Sequence, residues 1–170
     1  MDYQEYTVKV YSNGTKRWYQ DGELHRTDGP AVEYPSGKKC WYQDGELHRT
    51  DGPAVEWANG DKYWYQQGKL HRTDGPAVEH PDGTKHWYQD GALHRTDGPA
   101  IEFANGAKFW YQDGELHRTD GPAVEYSDGR KEWWINDKEV TEEEVLNSQV
   151  KELTVQEISE LLGYEVKVVK

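Results

Sequence analysis

The ten residues LHRTDGPAVE that start at Leu24 recur unchanged from Leu47, Leu70 and Leu116, and with Ile for Val from Leu93. Around them Trp18, Trp41, Trp64, Trp87, Trp110 and Trp133 stand 23 residues apart. A fixed period of this length means stacked supersecondary units, none of which buries its own apolar face alone. The repeat covers residues 1–138, and residues 139–170 form a separate tail.

Each unit carries two turn signals. The first is PSG at 35–37, ANG at 58–60, PDG at 81–83, ANG at 104–106 and SDG at 127–129. A turn former followed by Gly predicts a three-residue hairpin loop closed by a left-handed Gly. The second is DG at 21–22, 44–45, 90–91 and 113–114, varied to QG at 67–68, which predicts a two-residue hairpin. With the first loop in place, Glu33 faces Lys39, Glu56 faces Lys62, Glu79 faces Lys85, Glu102 faces Lys108 and Glu125 faces Lys131. Opposite charges in every unit are what a cross-strand pair requires. The same register sets Ala31 against Trp41, and the second hairpin continues it with Tyr42 facing Leu47 and Gln43 facing Glu46. Alternation then places Val32, Cys40, Tyr42 and Leu47 on one face, and Ala31, Trp41, His48 and the Glu33–Lys39 pair on the other. The fold class that follows is mainly β: an elongated single-layer antiparallel sheet of hairpin repeats with a small C-terminal α/β cap.

In the tail, Thr141 with Glu144 predicts a capping box opening a helix to about Leu153. Thr154 with Glu157 predicts a second, with Val155, Ile158, Leu161 and Leu162 as its apolar stripe and Gly163 as its C-cap. YEVKVVK alternates as a last strand. The tail is expected to cover an open sheet edge, or else to grip a partner.

Composition narrows the function. Hydrophobic residues are only 34% of the 170, yet eight Trp and twelve Tyr are too many for a disordered chain. The net charge of −12 argues against direct binding to nucleic-acid phosphate, while leaving open a basic partner or a DNA-mimicking surface. With Cys40 as the one cysteine, an intrachain disulfide is excluded, which suits a reducing cytoplasm. The N-terminal residues carry no leader-like apolar stretch, and no apolar run is long enough to span a membrane, so neither export nor membrane insertion is expected.

The 23-residue period, the aromatic–Gly hairpins and the DG turns resemble MORN repeats, in a variant built on LHR-x-DGPA that is associated with tailed phages and large DNA viruses. The common Tyr-x-Gly-x-Trp segment and the following Gly-x-Gly are absent; WYQDGELHR and DGPA stand in their place. The resemblance implies an elongated antiparallel sheet that mediates protein contacts, and a phage-encoded protein acting in the host bacterial cytoplasm. It carries over no catalytic residue.

Two sets of residues are candidates for a site. The first is the row of His–Arg pairs: His25 and Arg26, His48 and Arg49, His71 and Arg72, His94 and Arg95, His117 and Arg118. As a site they would stack and clamp a nucleotide-like ligand; as structure, His stacks on Trp and Arg pairs with Asp at the turn between units. Equivalent histidines fall about 10–14 Å apart, too far to share a metal, whose ligands lie at about 2.0–2.3 Å. The second set is two columns that change while the frame does not, offering Tyr34, Trp57, Tyr63, Phe103, Phe109 and Tyr126 as partner anchors, with His80 and His86 as diagonal neighbours. Nothing reads as a catalytic group, and no cofactor is expected. The function expected is a non-enzymatic binding protein that engages, and inhibits, a host defence or regulatory protein. Ligand sequestration and acidic DNA mimicry are the alternatives, and the edge near residue 6 offers a place for a second copy.

Overall fold

In a computed structural model the described residues are 5–148, 155–163, 165 and 167. Antiparallel hairpins dominate, with two short helices, α1 (Glu142–Ser148) and α2 (Val155–Leu162), after them. The first hairpin of every unit joins one 14-stranded sheet. Its register is the one charge pairing demands: Glu33 opposes Lys39, Glu56 opposes Lys62, Glu79 opposes Lys85, Glu102 opposes Lys108 and Glu125 opposes Lys131. The same Lys also faces the next unit's Glu, as Lys39 faces Glu56, so one short ladder runs through the array.

The turns explain the register. At the first loop Gly37 sits at φ 88° and donates its N–H to the Tyr34 carbonyl at 2.9 Å. The residue before the Gly fixes the loop from inside: Asn59, Asp82, Asn105 and Asp128 each accept the N–H two residues on. At the second turn Asp44 and Gly45 both lie at positive φ, 49° and 76°, as a type I′ turn requires. Tyr42 then faces Leu47 and Gln43 faces Glu46.

One expectation needs correction. In the internal units the second hairpins do not extend the long sheet; Tyr42–Gln43 with Glu46–Leu47, and its equivalents, form separate two-stranded ribbons. The chain changes partners at Trp. The Trp41 N–H donates to Ala54 O of the next unit at 2.8 Å, while its carbonyl accepts from His48 N–H of its own hairpin. The bonded Trp–Ala pair is therefore between units (Trp18 with Ala31, Trp41 with Ala54), not within one. Successive ribbons are tied by Arg26 N–H to Tyr42 O and Gly45 N–H to Leu24 O.

The core is thin and lies on the face that alternation assigns. Val32, Cys40 and Val55 are buried, with Leu24, Tyr34, Tyr42, Leu47, Tyr63 and Tyr65 packed on them. The alanines at 31, 54, 77, 100 and 123 are wholly inaccessible, which is why a larger side chain is never found there. Where a unit lacks a partner group the lattice shows it. Thr84 Oγ1 accepts the Ala104 N–H, but the residue twenty positions on from Thr15 is Pro35, and Thr15 Oγ1 is buried without a hydrogen bond.

At the C-terminal end the capping box forms, with Thr141 N–H donating to Glu144 Oε2 at 2.7 Å and Glu144 N–H to Thr141 Oγ1 at 3.2 Å. Val145 is buried and seats α1. Helix α2 ends at Gly163 with φ 71°, as its sequence predicts, but none of its residues is buried, and Val155, Leu161 and Leu162 are exposed. Of the two helices, only α1 has a buried residue among those described. The predicted continuation of the first helix over 149–153, Thr154 as a cap, and most of the strand over 164–170 lie outside the described residues. No helix among the described residues is long and apolar enough to cross a membrane.

Candidate functional site

Each repeated arginine is enclosed by five groups. The Arg72 guanidinium lies 4.1 Å over the Trp64 ring. Its Nε donates to Asp74 at 2.7 Å, and one terminal nitrogen donates to Pro76 O at 3.1 Å and to Glu79 at 3.0 Å. On the far side is Gly75, where a Cβ would come within 3.1 Å of the Arg72 Cζ. The same arrangement holds Arg26, Arg49, Arg95 and Arg118 over Trp18, Trp41, Trp87 and Trp110. HRTDGPAVE is thus one clamp: Arg supplies the plane, Asp and Glu the charge, Pro a carbonyl and Gly the room. The Arg hydrogen bonds hold Asp28, Asp51, Asp74, Asp97 and Asp120 below the usual carboxylate range.

The expected stacking of His on Trp is not what forms; Arg takes the ring and His takes the next unit's turn. His25 Nδ1 accepts the Asp44 N–H at 3.1 Å and lies 3.0 Å from the Asp44 carboxylate. His71 meets Asp90, and His94 meets Asp113, in the same way. His48 keeps only the Gln67 N–H, at 3.2 Å, because Gln replaces Asp there. His117 closes the row on Asn136 Oδ1 at 2.6 Å. Each His therefore pins a left-handed turn residue of the following unit, a conformation that costs about 1 kcal/mol for a non-Gly residue. The cross-strand Glu–Lys register is right, yet the Glu carboxylates point to Arg: Arg49, Arg72, Arg95 and Arg118 reach Glu56, Glu79, Glu102 and Glu125 at 3.0–3.3 Å.

Among the described residues, clefts of 470–580 Å³ lie between units, in each of which Arg-Thr-Asp-Gly of one unit faces Trp, Gln, His and Arg further on. Their cations are already bonded, and one face of each Trp is covered by a guanidinium. Five of the carboxylates a DNA mimic would display are neutralised in the same clamps.

The variable columns make a different surface. Their rings contact edge-to-face in sequence: Tyr63 with His80 at 6.1 Å, His80 with His86 at 5.6 Å, His86 with Phe103 at 6.2 Å, Phe103 with Phe109 at 5.3 Å, and Phe109 with Tyr126 at 5.8 Å. Trp57 and Phe103 stand out, 43% and 36% exposed, while Tyr34, Tyr63, Phe109 and Tyr126 are half-buried. His80 Nδ1 lies 2.9 Å from the Asp61 carboxylate, and burial together with His80 pushes the His86 imidazole pKa down. Among the described residues no three His, Cys, Asp or Glu side chains gather as metal ligands. Burial pushes the Cys40 thiol pKa up, away from the thiolate a nucleophile needs. Sequence reasoning passed over Tyr11 and Arg17, which continue the two columns into the first partial unit; their 23-residue offset from Tyr34 and Cys40 was the available signal.

A scan against protein-family models finds no match to this chain, and a search of curated proteins finds none.

Proposed function

We propose that this chain is a non-enzymatic binding protein of the MORN-like kind, phage-encoded, that engages and inhibits a host defence or regulatory protein in the bacterial cytoplasm through the variable face of its sheet. One observation carries the reading: the residues that repeat are bonded to one another, whereas those that vary form a continuous row of rings from Tyr63 to Tyr126, with Phe103 exposed in it and Trp57 exposed beside it on the same face. Large rings on a fixed frame are the anchors that dominate protein interfaces. The MORN resemblance supports a contact-making role and supplies the phage setting. The exposed edge strand Thr7–Val10 supports a homodimer as a further expectation.

The test is affinity capture from bacterial lysate with the intact protein and with Trp57→Ala/Phe103→Ala. The expected result is one reproducible protein partner, lost with the double variant while its melting temperature is unchanged. Repeated capture of nothing, or equal capture by both proteins, overturns the proposal. The repeated clefts favour a second reading, sequestration of a nucleotide-like ligand. It predicts a mass excess in native mass spectrometry of freshly purified protein, and a clean apo mass with no thermal shift on adding nucleotides ends it.

A further inference from the structure

We propose that the N-terminal end of the variable face docks a short acidic segment of a partner protein. The inference rests on the reading above, that this face binds protein, and adds the chemistry of what it binds.

Arg17 differs from the other arginines. Arg26, Arg49, Arg72, Arg95, Arg118 and Arg130 all reach a carboxylate, whereas Arg17 reaches none among the described residues. It lies instead 4.9 Å over the Tyr11 ring. Lys9 is 4.8 Å over Tyr19, and the Tyr11 and Tyr19 hydroxyls are 3.4 Å apart. Lys38 is 3.6 Å over Trp57 and 5.6 Å over Tyr34. Neither Lys9 nor Lys38 has a carboxylate within ion-pair distance among the described residues; the nearby Lys16–Glu33 pair belongs to the opposite face by alternation.

The result is three cations that, among the described residues, have no carboxylate partner and are held over aromatic rings, Arg17 also bonded to the Tyr19 side chain, on a chain whose net charge is −12. Further along the same face the polar groups are satisfied internally: His80 Nδ1 lies against the Asp61 carboxylate, Arg130 pairs with Asp128, and Glu132 accepts from the Tyr126 hydroxyl at 3.0 Å. The local reversal of sign therefore belongs to one end of the face.

A cation over a ring keeps its charge available while its side chain is already ordered, which lowers the entropy lost on binding. Lys9, Arg17 and the Lys38 hairpin are separated by up to three strand spacings, about 14 Å, which about four or five extended residues cover. Carboxylates on such a segment meet the cations, and an apolar residue between them meets Tyr11 or Trp57. A nucleic acid fits less well. Duplex DNA brings a charge every ~1.7 Å along its whole length against an acidic body, whereas a short segment interacts within the screening distance of about 8 Å.

The test is fluorescence anisotropy with a labelled octaglutamate peptide and the full-length protein at low ionic strength. Lys9→Gln/Arg17→Gln/Lys38→Gln is compared with Lys62→Gln/Lys85→Gln/Lys108→Gln, which removes the same charge elsewhere on the array. The patch variant should bind about tenfold or more weakly and the control within about twofold of the parent, with binding weakened by salt. A charge-keeping variant, Lys9→Arg/Arg17→Lys/Lys38→Arg, should still bind, which decides the matter if the neutral variant fails to fold. No saturable binding by the parent, equal loss in both triple variants, or tighter binding of single-stranded oligothymidylate overturns the proposal. If the parent captures a protein partner but binds no peptide, this inference alone fails. If the parent binds the peptide but captures no protein partner, the broader reading alone fails.

Discussion

At the scale of single residues the repeat is a set of fasteners, and each has a consequence for stability. Gly75→Ala brings a methyl group within 3.1 Å of the Arg72 Cζ, so the guanidinium must give by a few tenths of an ångström and strain its contacts with Trp64, Asp74 and Glu79. The expected cost is about 1–2 kcal/mol, read by thermal unfolding; an unchanged melting temperature would mean that the guanidinium is not held where it is seen. Acid has a defined sign. The five Arg-bonded aspartates titrate below the ordinary value when folded. The unfolded chain takes up those protons near pH 4 and the folded chain only at lower pH. Stability from these groups is therefore complete above about pH 5 and is lost as pH falls from about 4 through the folded-state values. The aspartate contribution to the melting temperature, read as the difference between the parent and the variant with all five replaced by Asn, should be flat between pH 7 and pH 5 and shrink below about pH 4. Replacing all five aspartates by Asn should lower the neutral value and flatten the acid limb, and an acid limb identical to the parent's would refute the assignment.

At the scale of elements the hairpins were legible and their assembly less so. Glu33 opposite Lys39, repeated five times with loops of one length, leaves a single register that satisfies every pair. The bend at Trp41 was not legible, because it depends on a hydrogen bond to Ala54 of the next unit, and local pattern does not report which neighbour a backbone group chooses. The exchange of roles between His and Arg has the same origin: both residues come back across the hairpin to Trp, seven and eight positions after it, and only the stacking of units brings Asp44 to His25. The two helices separate by burial. Val145→Ala should cost about 1–2 kcal/mol because its side chain is buried. A chain ending at residue 148 should melt within a few degrees of the full chain, since α2 has no fully buried residue. A large drop on that truncation would show that the tail does seal the sheet.

At the scale of the whole molecule, stability should be a sum of unit terms and nearest-neighbour terms. Removing 23 residues in register, 69 to 91, rejoins equivalent positions and keeps the clamp between every remaining pair of units. That protein should keep its β-sheet circular dichroism and unfold at a lower temperature, whereas deleting about half a unit should abolish folding, because the Trp–Ala and His–turn bonds lose their partners. Partner binding is expected to follow which variable residues remain, not how many copies of LHRTDGPAVE there are. The central claim is that the repeated His–Arg motif fastens units together and is not a row of sites. Thermal unfolding of Arg72→Met tests it most directly. The shorter apolar side chain still covers Trp64 but makes none of the bonds to Asp74, Pro76 and Glu79. The account predicts a loss of about 2 kcal/mol, about 4 °C or more in melting temperature, with partner capture retained. An unchanged melting temperature together with lost capture would contradict it.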